Sequence, residues 1–434
     1  MLDIQFIRDN PELVQEKSKQ KGYDVDIAEL LKFDGERRAL VTQVEELRSR
    51  RNAQAAELKK QKPTEEQIKV GRAMKEELAK LEDDLKAVEA KYTALLKKVP
   101  NMPTDDVPVG ASEDENVEAK VWGDKPQFDF EPKNHWELGE QNDWIDKERA
   151  AKVTGSRFAY LKGDLVLLQF AVIQFVFNTL TNTEIIQKLI DENGLQLTAK
   201  PFIPILPPVM IREEIYDQMD RLEPREDRYH LEGEDDNLWL IGSAEHTLGS
   251  MYANEILPEA ELPLRYIGYS TSFRQEAGTY GKDMEGIIRM HQFDKLEMEV
   301  FSTPETSLDE HKLLIAIQEY LMQQLEIPYH VLMKCTVDIG KPDARGVDIE
   351  AWLPGQGKYR ETHTADYMTD YQTRRLKTRV RRKDGTVELA HTNDATAMAL
   401  SRTPVAIMEN YQTADGHVRI PKVLQPYMGG RQEI

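Results

Sequence analysis

The stretch between Phe33 and Val99 restricts the fold more than any other part of this 434-residue chain. Phe33, Leu40, Val44, Leu47 and Leu58 fall on three- and four-residue steps or their sums. Met74, Leu78, Leu81, Leu85, Val88, Tyr92, Leu95 and Val99 then keep that rhythm, with Glu and Lys between them. Such heptads belong to helices that bury one stripe against a partner helix. Gln61-Lys62-Pro63-Thr64 interrupts the pattern, and a proline can open a helix but not continue one. The spacing therefore predicts an antiparallel coiled-coil hairpin over about 30–99, its legs of roughly 30 residues reaching about 45 Å.

Charge sets this hairpin apart. Positions 34–98 carry 16 Lys/Arg against 13 Asp/Glu, a net of +3 in a chain whose net charge is -20. Towards the tip, Arg48, Arg50, Arg51, Lys59, Lys60 and Lys62 are opposed only by Glu57. Solvated charge on a coiled coil is the plain reading, and a lever whose basic tip touches phosphates is the functional one. The acidic balance elsewhere argues against a protein that coats nucleic acid with its whole surface, and no DNA partner is expected. One cysteine, Cys335, excludes an intrachain disulfide or a multi-cysteine metal cluster and fits a reducing cytosol. The opening MLDIQFIRDN has no basic leader followed by an apolar stretch. The most apolar run, LVLLQFAVIQFVF at 165–177, is too short to span a bilayer and predicts a helix buried in a core or a subunit interface. A cytoplasmic protein without a membrane partner is expected.

VPNMPTDDVPVG at 99–110 lacks apolar periodicity and predicts a linker, dividing an arm of 1–105 from a domain of 106–434. Beyond it, PFIPILPPVMI, NLWLIGS, YIGYSTSFRQE, IIRMHQFDKLEMEVF, VDIEAWLP and VELAH predict strands. SLDEHKLLIAIQEYLMQQL predicts a helix. The strands do not alternate regularly with helices, which favours an α+β domain on an antiparallel sheet. Neither a G-x-x-x-x-G-K-[ST] loop nor a G-x-G-x-x-G turn is present.

FRQEAGTYGKDMEGIIRMHQFDKLEMEVF at 273–301 is the chemically richest stretch. Alternation from Ile288 puts Ile288, Met290, Leu296, Met298 and Val300 on one face and Arg289, His291, Phe293, Lys295, Glu297 and Glu299 on the other. Strand period also places Arg274 and Glu276 on one side. Arginines for phosphate, carboxylates for metal or amine and a ring for stacking are what nucleotide chemistry requires.

TSFRQEAGTYGKDMEGIIRMHQFDKLEM resembles the second signature motif of class II aminoacyl-tRNA synthetases, in the form typical of the seryl-tRNA synthetase family. LDIQFIRDNPELV, NVEAKVWGDKPQFDFEPKNHWELGE, ERAAKVTGSRFAYLKGD, IPKVLQPYMGG and the basic-tipped hairpin resemble the same family. The resemblance implies a coiled-coil arm joined to a class II antiparallel sheet domain flanked by helices. It implies ATP-dependent formation of seryl-adenylate and transfer of the seryl group to the 3′ end of tRNA(Ser), and also of tRNA(Sec), with Mg2+ and a homodimer. Pro208 in ILPPVMI falls in the segment similar to the first motif, which shapes the dimer interface in the family.

The same resemblance implies roles for single residues. Arg274 would hold the α-phosphate and the serine carboxylate, and Glu276 the adenine amino group. Phe293 would stack on adenine beside the Met290 backbone, and Arg402 would meet the γ-phosphate. Glu361 and Thr364 would hold the magnesium, with Thr362 and His363 also on the ATP side. Catalysis would rest on Arg274, Glu361 and Arg402. LIGSAEH resembles the family's Thr-x-Glu loop, so Glu245 would face the substrate ammonium, with Ser243, Glu297, Asp394 and Thr396 around the serine. Discrimination from alanine would follow from buried polar groups left unpaired. Arg48, Arg50, Arg51, Lys59 and Lys60 would touch tRNA.

Several positions depart from the family pattern. Ser243 replaces a threonine, THTADYMTDYQTRR replaces a run rich in Ser and Cys, and HTNDATAMALSRT lacks the expected glycines. Asp394 stands where asparagine is common, which adds a negative charge near the amino-acid pocket. RRLKTRVRRK at 374–383 places seven cations in ten positions, either solvated or near an acceptor stem. The alternative function is a paralogue that loads a carrier protein or lacks ligase activity; a coiled-coil scaffold is the third reading.

Overall fold

The computed structural model describes residues 1–58, 64–233, 237–277 and 286–434. They form two compact units, Met1–Met102 and Pro103–Ile434.

In the first unit two short helices, α1 (Ile4–Asp9) and α2 (Pro11–Gln20), precede two long ones, α3 (Ile27–Leu58) and α4 (Glu65–Lys98). The hairpin is as the heptads predict, and 32 and 34 residues give legs of about 50 Å. Val44, Leu47 and Leu78 form its buried seam, with Met74, Leu81 and Leu85 against them. Thr64 caps α4 in a reciprocal capping box with Gln67, so this helix starts at Glu65, after the proline. At the root the seam is polar: buried Asp34 accepts two hydrogen bonds from Arg8, at 2.7 and 2.8 Å. The periodicity did not announce that pair. Leu96, rather than Leu95, is the buried leucine at the end of α4.

The second unit is built on an eight-stranded sheet. Its strands are β1 (Val117–Trp122), β2 (Ile203–Ile205), β3 (Leu264–Phe273), β4 (Gln292–Ser302), β5 (Tyr329–Met333), β6 (Arg345–Leu353), β7 (Lys358–Thr369) and β8 (His391–Ala399). The order is β1-β5-β6-β7-β8-β4-β3-β2, antiparallel except for β2 on β3. This is the expected α+β architecture. One face packs on α5 (Asp164–Leu180), α6 (Ser307–Gln324) and α7 (Thr403–Asn410), with Leu296, Met298 and Val300 of β4 in that core. From α6, Gln318 donates to the carbonyls of Thr364 on β7 (2.7 Å) and Thr396 on β8 (2.8 Å).

Three sequence expectations need correction. Alternation begins at Gln292, not Ile288, because Ile288 and Arg289 lie in a bend that follows Gly286 at φ +68°. Strand β3 ends at Phe273, and Glu276 has a left-handed φ of 52°, so strand period does not put it beside Arg274. Residues 103–110 are no free tether: Val107 is buried, the Thr104 amide donates to Ala344 (2.9 Å), and Gly110 packs so closely on Cys335 that a Cβ there would lie 2.8 Å from its sulfur.

Candidate active site

The face of the sheet opposite α6 carries the polar side chains. On β4 the period of two aims Phe293, Lys295, Glu297 and Glu299 to this side. Register sets Glu297 against Thr396 and Glu299 against Asp394 on β8, and Asp394 against Asp366 on β7. An irregularity in the β6–β7 pairing leaves Thr362 as an extra residue, so Glu361 and Thr362 both reach the cavity.

That cavity is lined by Arg274, Glu276, Met290, Phe293, Glu361, Thr362, Thr364, Thr396 and Arg402, together with Ile288, Arg289, Lys295, Ala399 and Ser401. Arg274 lies over the Phe293 ring, 5.3 Å from its centre, and donates to the Gly242 carbonyl at 3.1 Å. A planar cation stacked on a ring is a pre-set platform for a flat ligand and an anion. Arg402 reaches both the carbonyl and the carboxylate of Glu361, at 2.7 and 3.1 Å. Surrounding protein desolvates the Glu361 carboxyl, yet Arg402, Lys334 and Arg274 bring its pKa down to about 2. Glu276 is ion-paired with Arg289, and Arg157 holds its carbonyl at 3.0 Å. His135, oriented by buried Glu409, accepts from the Ile287 amide at 3.2 Å and fixes the chain just before Ile288 and Met290.

Behind the cavity lies a second, buried group. Ser243 donates to Glu297 at 3.0 Å, Lys295 donates to Ser243 at 3.2 Å, and Lys295 and Glu297 are ion-paired. Oxygens of Glu245, Glu297 and Asp394 all lie within 4.8 Å of one another. Burial outweighs the attraction of Lys295 and lifts the Glu297 carboxyl. For Glu245 burial would do the same, but Arg221 and His246 hold it well below the usual range. Asp394 goes the other way. Burial, with Glu245 beside it, pushes its pKa well up despite Arg221.

His363 is not brought to the cavity. It is fully buried against the Thr362 hydroxyl (2.8 Å), and burial lowers its pKa to about 3. In the run 374–383, Arg375 is bound by Asp217 and Asp220, Arg382 by Glu305, Glu259 and Glu388, and Arg374 by Asp370. These three cations are each ion-paired within the sheet domain. On the arm, Arg48 pairs with Glu82 across the hairpin (2.7 Å), and the side chain of Glu57 lies outside the described residues. Arg50 and Arg51 are exposed, whereas Lys59, Lys60 and Lys62 lie outside the described residues. Sequence reasoning missed Arg221 and Asp343 as parts of the site. Lys295 stood in view, two residues from Glu297 on one strand face, but was given no role.

Two family models match the chain: the seryl-tRNA synthetase N-terminal domain over residues 1–103, and the class II tRNA synthetase core domain (G, H, P, S and T) over 229–411. A serine–tRNA ligase of Thermodesulfovibrio yellowstonii is 41% identical, with 99% of each chain covered. The chain belongs to the seryl-tRNA synthetase family. A serine–tRNA ligase of Nitrosopumilus maritimus is 40% identical over the full length of both chains. The seryl-tRNA synthetase of Pyrococcus horikoshii, solved with ATP, superposes with a TM-score of 0.86 at 39% identity, covering 100% of this chain and 99% of that one. Because such synthetases match through the arm as well as the sheet, the carrier-loading alternative gains no support.

Proposed function

We propose that the protein is an ATP-dependent serine–tRNA ligase that forms seryl-adenylate in the sheet domain and passes the seryl group to tRNA(Ser). The observation that carries this reading is the convergence of Arg274, Phe293, Glu361, Thr396 and Arg402 on one cavity, with Ser243, Lys295 and Glu297 directly behind it. Adenine stacks on Phe293, with Glu276 and the Met290 backbone at its edge. A serine carboxylate oxygen attacks the α-phosphorus and the bond to the β-phosphate oxygen breaks, releasing pyrophosphate. Arg274 neutralises charge gathering on the α-phosphoryl oxygens, and Arg402 holds the leaving pyrophosphate. Positioning and charge stabilisation suffice for such an in-line displacement.

Glu361, held ionised, and the Thr364 hydroxyl are hard oxygen donors that fit Mg2+, which when bound adds positive charge against the phosphates. Glu245 receives the serine ammonium, and Glu297 with Thr396 receives its hydroxyl. In the second step a 3′-terminal ribose hydroxyl of tRNA attacks the seryl carbonyl and AMP leaves. Residues 1–105 serve as the tRNA-binding arm and 106–434 as the catalytic domain. Exposed Leu167 and Phe170 on α5, beside Tyr427 and Met428, support a homodimer contact. Among the described residues no single helix is long and apolar enough to cross a membrane, which accords with a cytoplasmic enzyme.

The test is ATP–pyrophosphate exchange with each of the twenty amino acids, followed by charging of total tRNA with the most active one. Serine-dependent exchange and charging are expected. Exchange driven by another amino acid, or exchange without any tRNA charging, would refute the assignment.

A further inference from the structure

A single guanidinium stands beneath the amino-acid pocket. Arg221 Nε lies 3.1 Å from Glu245, and its NH2 lies 3.3 Å from Asp343 and 3.6 Å from Asp394. The Met368 sulfur lies 3.8 Å from the same NH2. The side chain is 15% exposed, and its three acids are at most 12% exposed. Such an arrangement costs much to desolvate and is strongly disturbed when one partner is removed.

The turn that carries Arg221 is itself pinned. Neighbouring Asp220 has a left-handed φ of 59°, accepts from Lys341 (2.9 Å) and the Tyr371 hydroxyl (3.1 Å), and is ion-paired with Arg375 (3.1 Å). The Arg221 carbonyl accepts from Arg228 at 3.1 Å. A backbone held this firmly delivers the guanidinium to one place.

We propose that Arg221 is a positioning and specificity-determining residue for the amino acid: it holds Glu245 and Asp394 where the substrate ammonium and side chain are read. The proposal rests on the serine-activating reading of the same pocket. Without the guanidinium, two close carboxyl groups lose the cation that joins them. Glu245 then keeps His246 alone, at 3.2 Å, to set the geometry in which it meets an ammonium. An ammonium side chain is a poor substitute, because Glu245 meets one nitrogen of a planar fork while Asp343 and Asp394 meet another. ATP contacts lie on the cavity side, among Arg274, Phe293 and Arg402, so the effect is confined to one substrate.

The experiment measures serine-dependent pyrophosphate exchange at varied serine and varied ATP for the full-length protein, Arg221→Ala and Arg221→Lys. Arg221→Ala is expected to raise the serine KM about 10–100-fold, the scale of a charged group left without its partner, with the ATP KM nearly unchanged. Millimolar guanidinium is expected to restore part of the loss, and Arg221→Lys to restore little. A serine KM within about twofold of the parent overturns the proposal, as does an equal rise in both KM values without guanidinium rescue. If Arg221→Ala does not fold, Asp343→Asn removes one member of the clamp and should still raise the serine KM several-fold. An unchanged value there overturns the proposal equally. Absence of serine-dependent exchange in the parent protein sinks the functional reading itself. An active parent with indifferent Arg221 variants sinks only the role of Arg221.

Discussion

The arm and the pocket use charge in opposite ways. On the arm, cations are exposed or paired at the surface: Arg48 with Glu82 is an example, their side chains 55% and 42% exposed. Pairs of that kind are screened by solvent and individually worth little. Around the pocket, Lys295, Glu245, Glu297, Glu299 and Asp394 are buried and Arg221 nearly so, and burial together with neighbouring charges shifts the four carboxyl groups away from their ordinary range. The difference teaches that single substitutions should act sharply in the sheet domain, and additively and weakly on the arm.

The largest expected effect is that of Arg274→Ala, which should lower serine-dependent pyrophosphate exchange by about 100–1,000-fold, the range for a lost transition-state donor. Near-normal exchange would remove Arg274 from its role. Next, Glu297→Ala should cut the preference for serine over alanine by about 10-fold or more, read as the ratio of kcat/KM values. An unchanged ratio would mean that the hydroxyl is recognised elsewhere.

A third prediction concerns pH. Burial, with Glu245 and Glu297 nearby, pushes the Glu299 carboxyl well above its ordinary 4.5. The unfolded chain therefore releases this proton at lower pH than the folded one. The associated stability is complete below about 4.5 and declines as pH rises towards the folded value. Glu299→Gln removes this decline. Relative to the parent, its melting temperature should gain a few degrees between pH 5 and pH 8, since each pKa unit is about 1.4 kcal/mol. All five tryptophans lie beyond residue 103, so their fluorescence reports the sheet unit alone. A pH-independent difference between the two proteins would contradict the assigned protonation.

The smallest effect is expected on the arm. Neutralising Arg50 and Arg51 should raise the tRNA KM about 3–10-fold at low salt, less at high salt, and leave exchange intact. Arg48→Ala alone should do less, because Glu82 already occupies it. Equal losses of charging and exchange would make the arm a folding element and erase the contrast.

The same contrast governs what could be read from the chain. The arm was legible because its period runs over some sixty residues and one seam carries it, while the Arg8–Asp34 pair at its root broke no pattern that would reveal it. Strands β7 and β8 were not read as strands. Both of their faces are buried, and Ala365, Ala395 and Ala397 supply the helix-side packing, so neither polar alternation nor a β-branched run appears. The residues expected around ATP came from motif resemblance, and the cavity gathers them apart from His363, which a one-residue step in β7 turns away. Arg221 left no signal because it stands in a turn, where neither periodicity nor a motif marks a side chain whose partners come from distant strands and loops.

Gln318 gives the sheet a hidden dependence on its far side. One amide on α6 ties together the backbones of Thr364 and Thr396, whose side chains line the cavity. A change on that helix can thus reach the cleft without a side chain there lining it, since a slackened tie would let two walls of the cleft drift apart. Engineering of this helix for stability would therefore also retune the cleft's width.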